Sequence, residues 1–368
     1  MIILLTFCPR FVKTFVTKIF PSLRKTQSIN ISLATYGMIK SQSGKMSEIV
    51  REFPGDFTHK SKLKRLWRFV SNPRVKPERL QSFWINWCIR RFTSGNHLLV
   101  ALDWTTLPGN IQVLMTAIPF KGRAIPLLWH ICLHSEIKDS QNKKEERLVA
   151  RLNNLIVPSG KKLILVADRG FGRATFIQFL KAKNILFVVR VKSKVWIKVG
   201  RKTDILLKRL YLKPKTRYWF KNITFREDGI VAGINMAAVV VLPKDPFKDP
   251  DPWFLVTNLR KAQTTINAYT KRFQIEEWFR DLKHELGIAN LQTKNLKRVR
   301  RLILVSAFAY SLVALVGKAA ERMEKVRQKV ISGGRKTASI IWLALRGIEH
   351  NLFSHQFWKK VRALGMAP

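Results

Sequence analysis

The sequence predicts an α/β fold, a mixed sheet with flanking helices, extended by a β-rich insertion and bracketed by helical N- and C-terminal regions. Two observations carry this. After His97 the pattern changes from helical to short β runs and then alternates, giving the order βββαβαβ. The uncharged runs Leu98 to Leu102 and Leu163 to Ala167 read as buried strands. A content of 46% hydrophobic and 11% aromatic residues supplies a packed core and argues against disorder.

Residues 1–45 form a basic N-terminal extension. The apolar run Met1 to Phe7 is too short for a secretory signal and has no basic residues before it. The first 47 residues contain no acid but carry Arg10, Lys13, Lys18, Arg24, Lys25, Lys40 and Lys45. This imitates a transit peptide, but a DNA-contacting arm, or an upstream start before a natural one at Met38 or Met46, is preferred. Residues 46–95 read as a small helical domain, with Leu63, Leu66, Trp67 and Val70, an Asn72-Pro73 break, then Leu80, Phe83, Trp84 and Trp87. Its polar faces carry Lys60, Lys62, Lys64, Arg65, Arg68 and Arg74, which suit phosphate contact or a solvated surface.

Residues 96–191 hold the first part of the core: strands Leu98 to Leu102, Gln112 to Ile118 and Ile125 to Leu133, a helix Lys143 to Leu155, a strand Leu163 to Ala167, a helix Ala174 to Lys183 and a strand Ile185 to Val191. Residues 192–258 read as an inserted β subdomain with a Pro-rich loop from Pro243 to Pro252. Residues 259–330 resume the core with helices Thr264 to Leu286 and Leu296 to Val326. Residues 331–368 are a helical C-terminal region, Thr337 to Leu364, preceded by Gly333-Gly334.

Charge bounds the partner. Sixty-eight Lys and Arg against 23 Asp and Glu give a net charge of +45, which makes a polyanion the expected ligand, nucleic acid before an anionic membrane. Cys8, Cys88 and Cys132 include no CxxC pair, so neither a disulfide framework nor a zinc site is indicated. The sixteen uncharged residues Leu302 to Gly317 fall short of the roughly 20 that span a bilayer and read as a buried helix. His130 and His134 read as core or surface histidines.

In so basic a chain an isolated carboxylate is conspicuous. Asp103 is the only acid between Glu78 and Glu136, and Asp168 the only one between Glu146 and Asp204. Each closes an apolar strand, where sites sit in sheets with helical crossovers; the alternative is a strand-end Asp that caps a turn. Two carboxylates brought together repel, and a hard cation such as Mg²⁺ relieves this. A third acid comes from the helix Thr264 to Leu286, where Tyr269, Arg272, Glu276 and Lys283 lie within an arc of about 60° beside the stripe Ile275, Phe279, Leu282 and Leu286. At about 1.5 Å per residue this row is about 21 Å long and suits several nucleotides of a strand. Glu277 is the rival carboxylate.

The spacing Tyr269, Arg272, Glu276, Lys283 is that of Y-x2-R-x3-E-x6-K, and it resembles the signature of DDE transposases of bacterial insertion sequences in the Tyr-Arg-Glu-Lys branch. Asp103 in LDWTTL and Asp168 in ADRGFG are similar to that family's two aspartates, and residues 65–74 to the end of its N-terminal DNA-binding domain. The resemblance implies a ribonuclease-H-like catalytic domain with a β insertion, a triad Asp103, Asp168 and Glu276 holding two Mg²⁺ ions, with Mn²⁺ able to substitute, and phosphate contacts from Tyr269, Arg272 and Lys283. Trp253 is similar in placement to a Trp on which family members stack a flipped-out base; a core aromatic of the insertion is the alternative. Implied too are cut-and-paste transposition in the bacterial cytoplasm at the nucleoid, transposon-end and target DNA as partners, no membrane, and a homodimer in the paired-end complex. For that dimer the apolar residues Ile340, Ile341, Leu343, Ala344 and Ile348, with Trp342 and Trp358, offer a surface or else pack on their own core. A domesticated or inactive DNA-binding derivative is the alternative function.

Overall fold

A computed structural model describes residues 7–138, 140–200, 204–242, 251–330 and 338–366. Most of the Pro-rich loop, the Gly333-Gly334 pair and residues 1–6 of the N-terminal apolar run lie outside the described residues.

The chain opens with five helices, α1 (Pro9–Ile19), α2 (Lys25–Ser41), α3 (Met46–Ile49), α4 (His59–Ser71) and α5 (Pro77–Phe92). A three-stranded antiparallel meander follows, β1 (His97–Leu107), β2 (Ile111–Phe120) and β3 (Arg123–Leu133), then α6 (Gln141–Ile156), β4 (Lys162–Ala167), α7 (Ala174–Ala182) and β5 (Leu186–Val191). The meander carries Pro126 inside β3. The strand tolerates it because the β2–β3 register shifts between Thr116 and Ala117, and the Thr116 hydroxyl and the Leu128 backbone bond each other there. The freed Pro126 carbonyl accepts from the Trp84 indole of α5 at 3.0 Å, which fixes the helical region to the sheet.

Strands β6 (Trp196–Val199), β7 (Ile205–Leu206), β8 (Arg217–Arg226), β9 (Ile230–Val241) and β10 (Asp251–Thr257) form the insertion. They are not a separate layer. β10 pairs antiparallel with β5, Phe254 opposite Val191, so one sheet runs β3-β2-β1-β4-β5-β10-β9-β8-β6-β7, with β1, β4 and β5 parallel. The first five strands, a meander joined to two parallel strands through helices, are ribonuclease-H-like.

The remaining helices are α8 (Ala262–Thr270), α9 (Gln274–His284), α10 (Leu296–Ala320), α11 (Glu324–Val330), α12 (Ile340–Glu349) and α13 (His355–Met366). The single helix expected over Thr264 to Leu286 is therefore two, joined by a 3₁₀ turn, Lys271–Phe273. α10 contains the apolar stretch Leu302 to Gly317 and is long and apolar enough to cross a membrane, but 94% of its most apolar window is buried in the protein. It is the central core helix, and each large aliphatic side chain it buries contributes roughly 1.5–3 kcal/mol. Its close packing depends on Gly317, where an added Cβ would stand 1.9 Å from the Ile340 carbonyl oxygen of α12.

Both ends of the chain pack into the core. The basic extension is not an appendage: Phe11, Val12, Phe15, Val16 and Ile19 of α1 are buried, and an aromatic cluster joins Phe11 to Trp358 of α13. The C-terminal apolar face is not free either, because Ile340, Ile341, Leu343, Ala344, Ile348 and Trp358 are all buried within their own chain. Trp342, the remaining member of that surface, is partly buried.

Candidate active site

The parallel ladder of β1 with β4 ends at the pair Leu102 and Ala167. The next residues, Asp103, still within β1, and Asp168, just past the end of β4, therefore stand side by side on strands spaced roughly 4.8 Å apart. Each carboxylate binds the backbone just after it: Asp103 Oδ1 accepts from the Trp104 amide at 2.8 Å, and Asp168 Oδ1 from the Arg169 amide at 2.7 Å. The capping role weighed for these residues and a role in a site are thus compatible.

The 3₁₀ turn between α8 and α9 brings the signature residues to this edge. Arg272, only 3% exposed, forms ion pairs with Asp103 at 3.5 Å and with Glu276 at 2.7 Å, and lies over the rings of Phe273 and Tyr269. The Tyr269 hydroxyl donates to Asp168 Oδ1 at 3.2 Å. Asp103, Asp168, Glu276, Tyr269 and Arg272 thus form one cluster, while Lys283 lies at the far end of α9, partly buried. Of the two neighbouring glutamates, Glu277 turns away to Arg123 and Arg280. Glu276 faces the aspartates, with its side chain 49% exposed.

Electrostatically the cluster is under strain. Burial raises the Asp103 pKa to about 6, with Asp168 and Glu276 adding repulsion, against the opposing effects of Arg272 and the Trp104 amide. Burial likewise pushes the Tyr269 hydroxyl up to about 12, so it stays a donor. For Arg272, burial works against the charge, but Tyr269, Asp168 and Glu276 outweigh it and hold its pKa above the usual value. Its Nε and one terminal nitrogen nevertheless lack hydrogen-bond partners.

Among the described residues, no group of three or more His, Cys, Asp or Glu side chains is gathered tightly enough to hold a metal ion as it stands. The guanidinium of Arg272 supplies the counter-charge among the carboxylates instead. In chemistry the donors fit a hard divalent cation: three carboxylates converge, and one of them is desolvated and repelled by the other two.

Trp253 is 8% exposed, edge-on to Tyr269 at 4.9 Å and stacked with Phe273 at 5.6 Å, in the smaller of two cores. In this arrangement its faces support the Tyr269–Arg272 turn. His130 is partly buried, and burial lowers its pKa. Lys60, Lys64, Arg68 and Arg74 are exposed, whereas Lys62 bonds the Phe53 carbonyl and Arg65 bonds Asn30. The helical region is held against the core by Arg301 of α10, whose buried guanidinium donates to the carbonyls of Val70 and Val75.

Glu145 of α6 is a residue the sequence reading passes over. It is fully buried, accepting from the Trp104 indole at 2.8 Å and from Gln141 at 2.9 Å, and pairing with Arg173. Its signal lies in spacing: with Leu148, Val149, Leu152 and Ile156 it sits on the buried stripe of α6.

Two aspartates on neighbouring parallel strands of a ribonuclease-H-like sheet, faced by a glutamate from a following helix, make this edge the candidate site. Residues 130–312 match the family model of the transposase DDE domain. The matched stretch takes in Asp168, Trp253, Tyr269, Arg272, Glu276 and Lys283, and it begins after Asp103. No curated protein matches the chain.

Proposed function

We propose that this protein is the transposase of an insertion sequence of the Tyr-Arg-Glu-Lys branch. In this reading it cuts the element ends by hydrolysing a phosphodiester bond and joins the freed 3′-OH ends to target DNA. The observation that supports this best is the convergence of Asp103, Asp168 and Glu276 around Arg272 at the edge of a sheet, with Asp168 and Glu276 inside the stretch that matches the transposase DDE domain. Asp103, Asp168 and Glu276 are the residues that would hold two Mg²⁺ ions, or Mn²⁺ in their place; these supply charge stabilisation and activation of the attacking and leaving oxygens.

The remaining roles belong to side chains of this chain. Arg272 and Lys283 bind phosphates beside the scissile bond, and Tyr269, kept protonated by burial, orients Asp168 and donates toward the backbone of the strand. Exposed Lys60, Lys64, Arg68 and Arg74 hold the transposon end at a distance from the chemistry. Two copies act together, one per end, at the nucleoid in the bacterial cytoplasm.

The test is cleavage of DNA carrying the sequences that flank the reading frame, in Mg²⁺. Asp103→Asn is expected to lose cleavage by about a thousandfold or more while keeping end binding. Cleavage retained by that variant removes Asp103 from the chemistry. A wild-type chain that binds this DNA without cutting it points instead to a domesticated binding protein.

A further inference from the structure

The β1–β4 pairing ends at Leu102 and Ala167; Asp103 is still held within β1 opposite Met115 of β2, but Asp168 lies one residue beyond β4, so no ladder fixes the separation of the two aspartates. Something else must hold them, since carboxylates that share a cation work only when placed to within about 0.5 Å. We propose that Glu145 is the positioning residue that sets the relative placement of these two aspartates; this rests on the metal-dependent reading above.

The connections run through side chains from both strand ends. Trp104 follows Asp103; its amide donates to Asp103 Oδ1 at 2.8 Å, and its indole Nε1 donates to Glu145 Oε1 at 2.8 Å. On the other side, Arg173 pairs with Glu145 Oε2 and donates to the Gly170 carbonyl at 2.6 Å. That closes the turn Asp168 to Gly172, in which the Arg169 amide donates to Asp168 Oδ1 at 2.7 Å. Each aspartate is thus tied to the backbone just after it, and both of those stretches are tied to opposite oxygens of one carboxylate. Gln141, one turn earlier on α6, donates to Oε1 at 2.9 Å and holds the carboxylate against its own helix.

A fully buried carboxylate is a costly way to fill a core, and apolar side chains of similar volume often replace buried ion pairs with no loss of stability. What an apolar residue cannot do is receive Trp104 and Arg173 at fixed angles. The groups that bind a metal's ligands typically change its affinity 10- to 100-fold when removed.

The experiment uses the full chain as wild type, Glu145→Leu and Trp104→Phe, the last keeping the ring while deleting the Nε1 donor. Amide hydrogen exchange is read in the metal-free protein over residues 103–107 and 168–173, alongside thermal melting and calorimetric titration with Mn²⁺. The expected result is faster exchange in both segments together for each variant. In Trp104→Phe this includes the 168–173 turn, to which the deleted indole Nε1 donor is tied through Glu145 and Arg173. Mn²⁺ affinity is expected to fall 10- to 100-fold, out of proportion to any change in melting. The proposal is overturned if Trp104→Phe leaves the 168–173 turn unchanged, or if its Mn²⁺ affinity stays within about twofold of wild type. A wild-type chain that binds no Mn²⁺ refutes the metal-dependent reading instead, and the exchange data still decide the positioning role. Should Glu145→Leu fail to fold, Trp104→Phe decides alone.

Discussion

Helix α9 carries two ionic clusters of nearly the same composition on its two sides, and they are in opposite states. On one side Asp281 and Glu277 share Arg123, at 2.8 and 3.1 Å, and the buried Tyr310 hydroxyl donates to Asp281 at 2.7 Å. On the other side Asp103 and Glu276 share Arg272, and Tyr269 donates to Asp168. The first cluster lies in the core, with its two carboxylates drawn to one arginine and Asp281 closed off from solvent. Burial raises the pKa of both Asp281 and Asp103, the latter to about 6, and each arginine has nitrogen without a hydrogen bond; what sets the second apart is the half-exposed Glu276 beside two further carboxylates. A cluster buried away from solvent stabilises the fold; one that gathers several carboxylates at an open sheet edge is a candidate site. Composition alone does not separate the two.

The comparison breaks most visibly in stability. Asp281→Ala leaves Arg123 facing Glu277 alone and is expected to cost about 3–5 kcal/mol in denaturant unfolding, and Tyr310→Phe about 1.5–3 kcal/mol, the cost of losing a hydrogen bond to a charged group. Neither is expected to change the metal requirement of cleavage.

The opposite sign is expected at Asp103. Its folded pKa is raised from 3.8 to about 6, so the stability tied to its protonated form is fully present below about pH 3.8 and is lost as pH rises through about 6. Asp103→Asn, which stays neutral, should therefore match wild type near pH 4 and exceed it by up to about 3 kcal/mol at pH 7, at 1.36 kcal/mol per unit. Melting curves across that range without divalent metal check this; a variant less stable than wild type at pH 7 would show that Asp103 is a satisfied structural group.

The smallest effect belongs to Lys283, at the end of the row. Lys283→Gln should lower the slope of log affinity against log salt by about 1 on transposon-end DNA, leaving cleavage by bound protein within a few-fold of wild type. An unchanged slope would place Lys283 off the DNA path.

How much of this was legible follows from the range of the interactions. The meander and the two parallel strands follow from local runs and turns; Asp168 does close its strand, whereas β1 runs on past Asp103 to Leu107, since ladders extend past apolar stretches. The buried stripe of α1, at 11, 12, 15, 16 and 19, was present in the sequence as helical spacing, but the lysines and arginines between its apolar residues read as an arm. What covers an apolar face was not legible: the stripe of α12 was visible, its seat on Gly317 was not. The same holds for the insertion, whose fusion to the main sheet depends on Phe254 meeting Val191 across more than sixty residues. Within the site, the i, i+4 pair of Arg272 and Glu276 was readable from spacing. The 3₁₀ turn that aims it, and the buried Glu145 behind both aspartates, required the fold.

The central claim is that the carboxylate facing the aspartates, and not its neighbour facing the core, completes a metal-dependent cutting site. The direct measurement is divalent-metal-dependent cleavage of element-end DNA by Glu276→Gln and Glu277→Gln side by side. The account expects Glu276→Gln to lose cleavage by about a thousandfold or more. It expects Glu277→Gln to cut within a few-fold of wild type and to lose stability through Arg123. Cleavage by Glu276→Gln at the wild-type rate, or cleavage of equal efficiency with all divalent metal chelated, would contradict it.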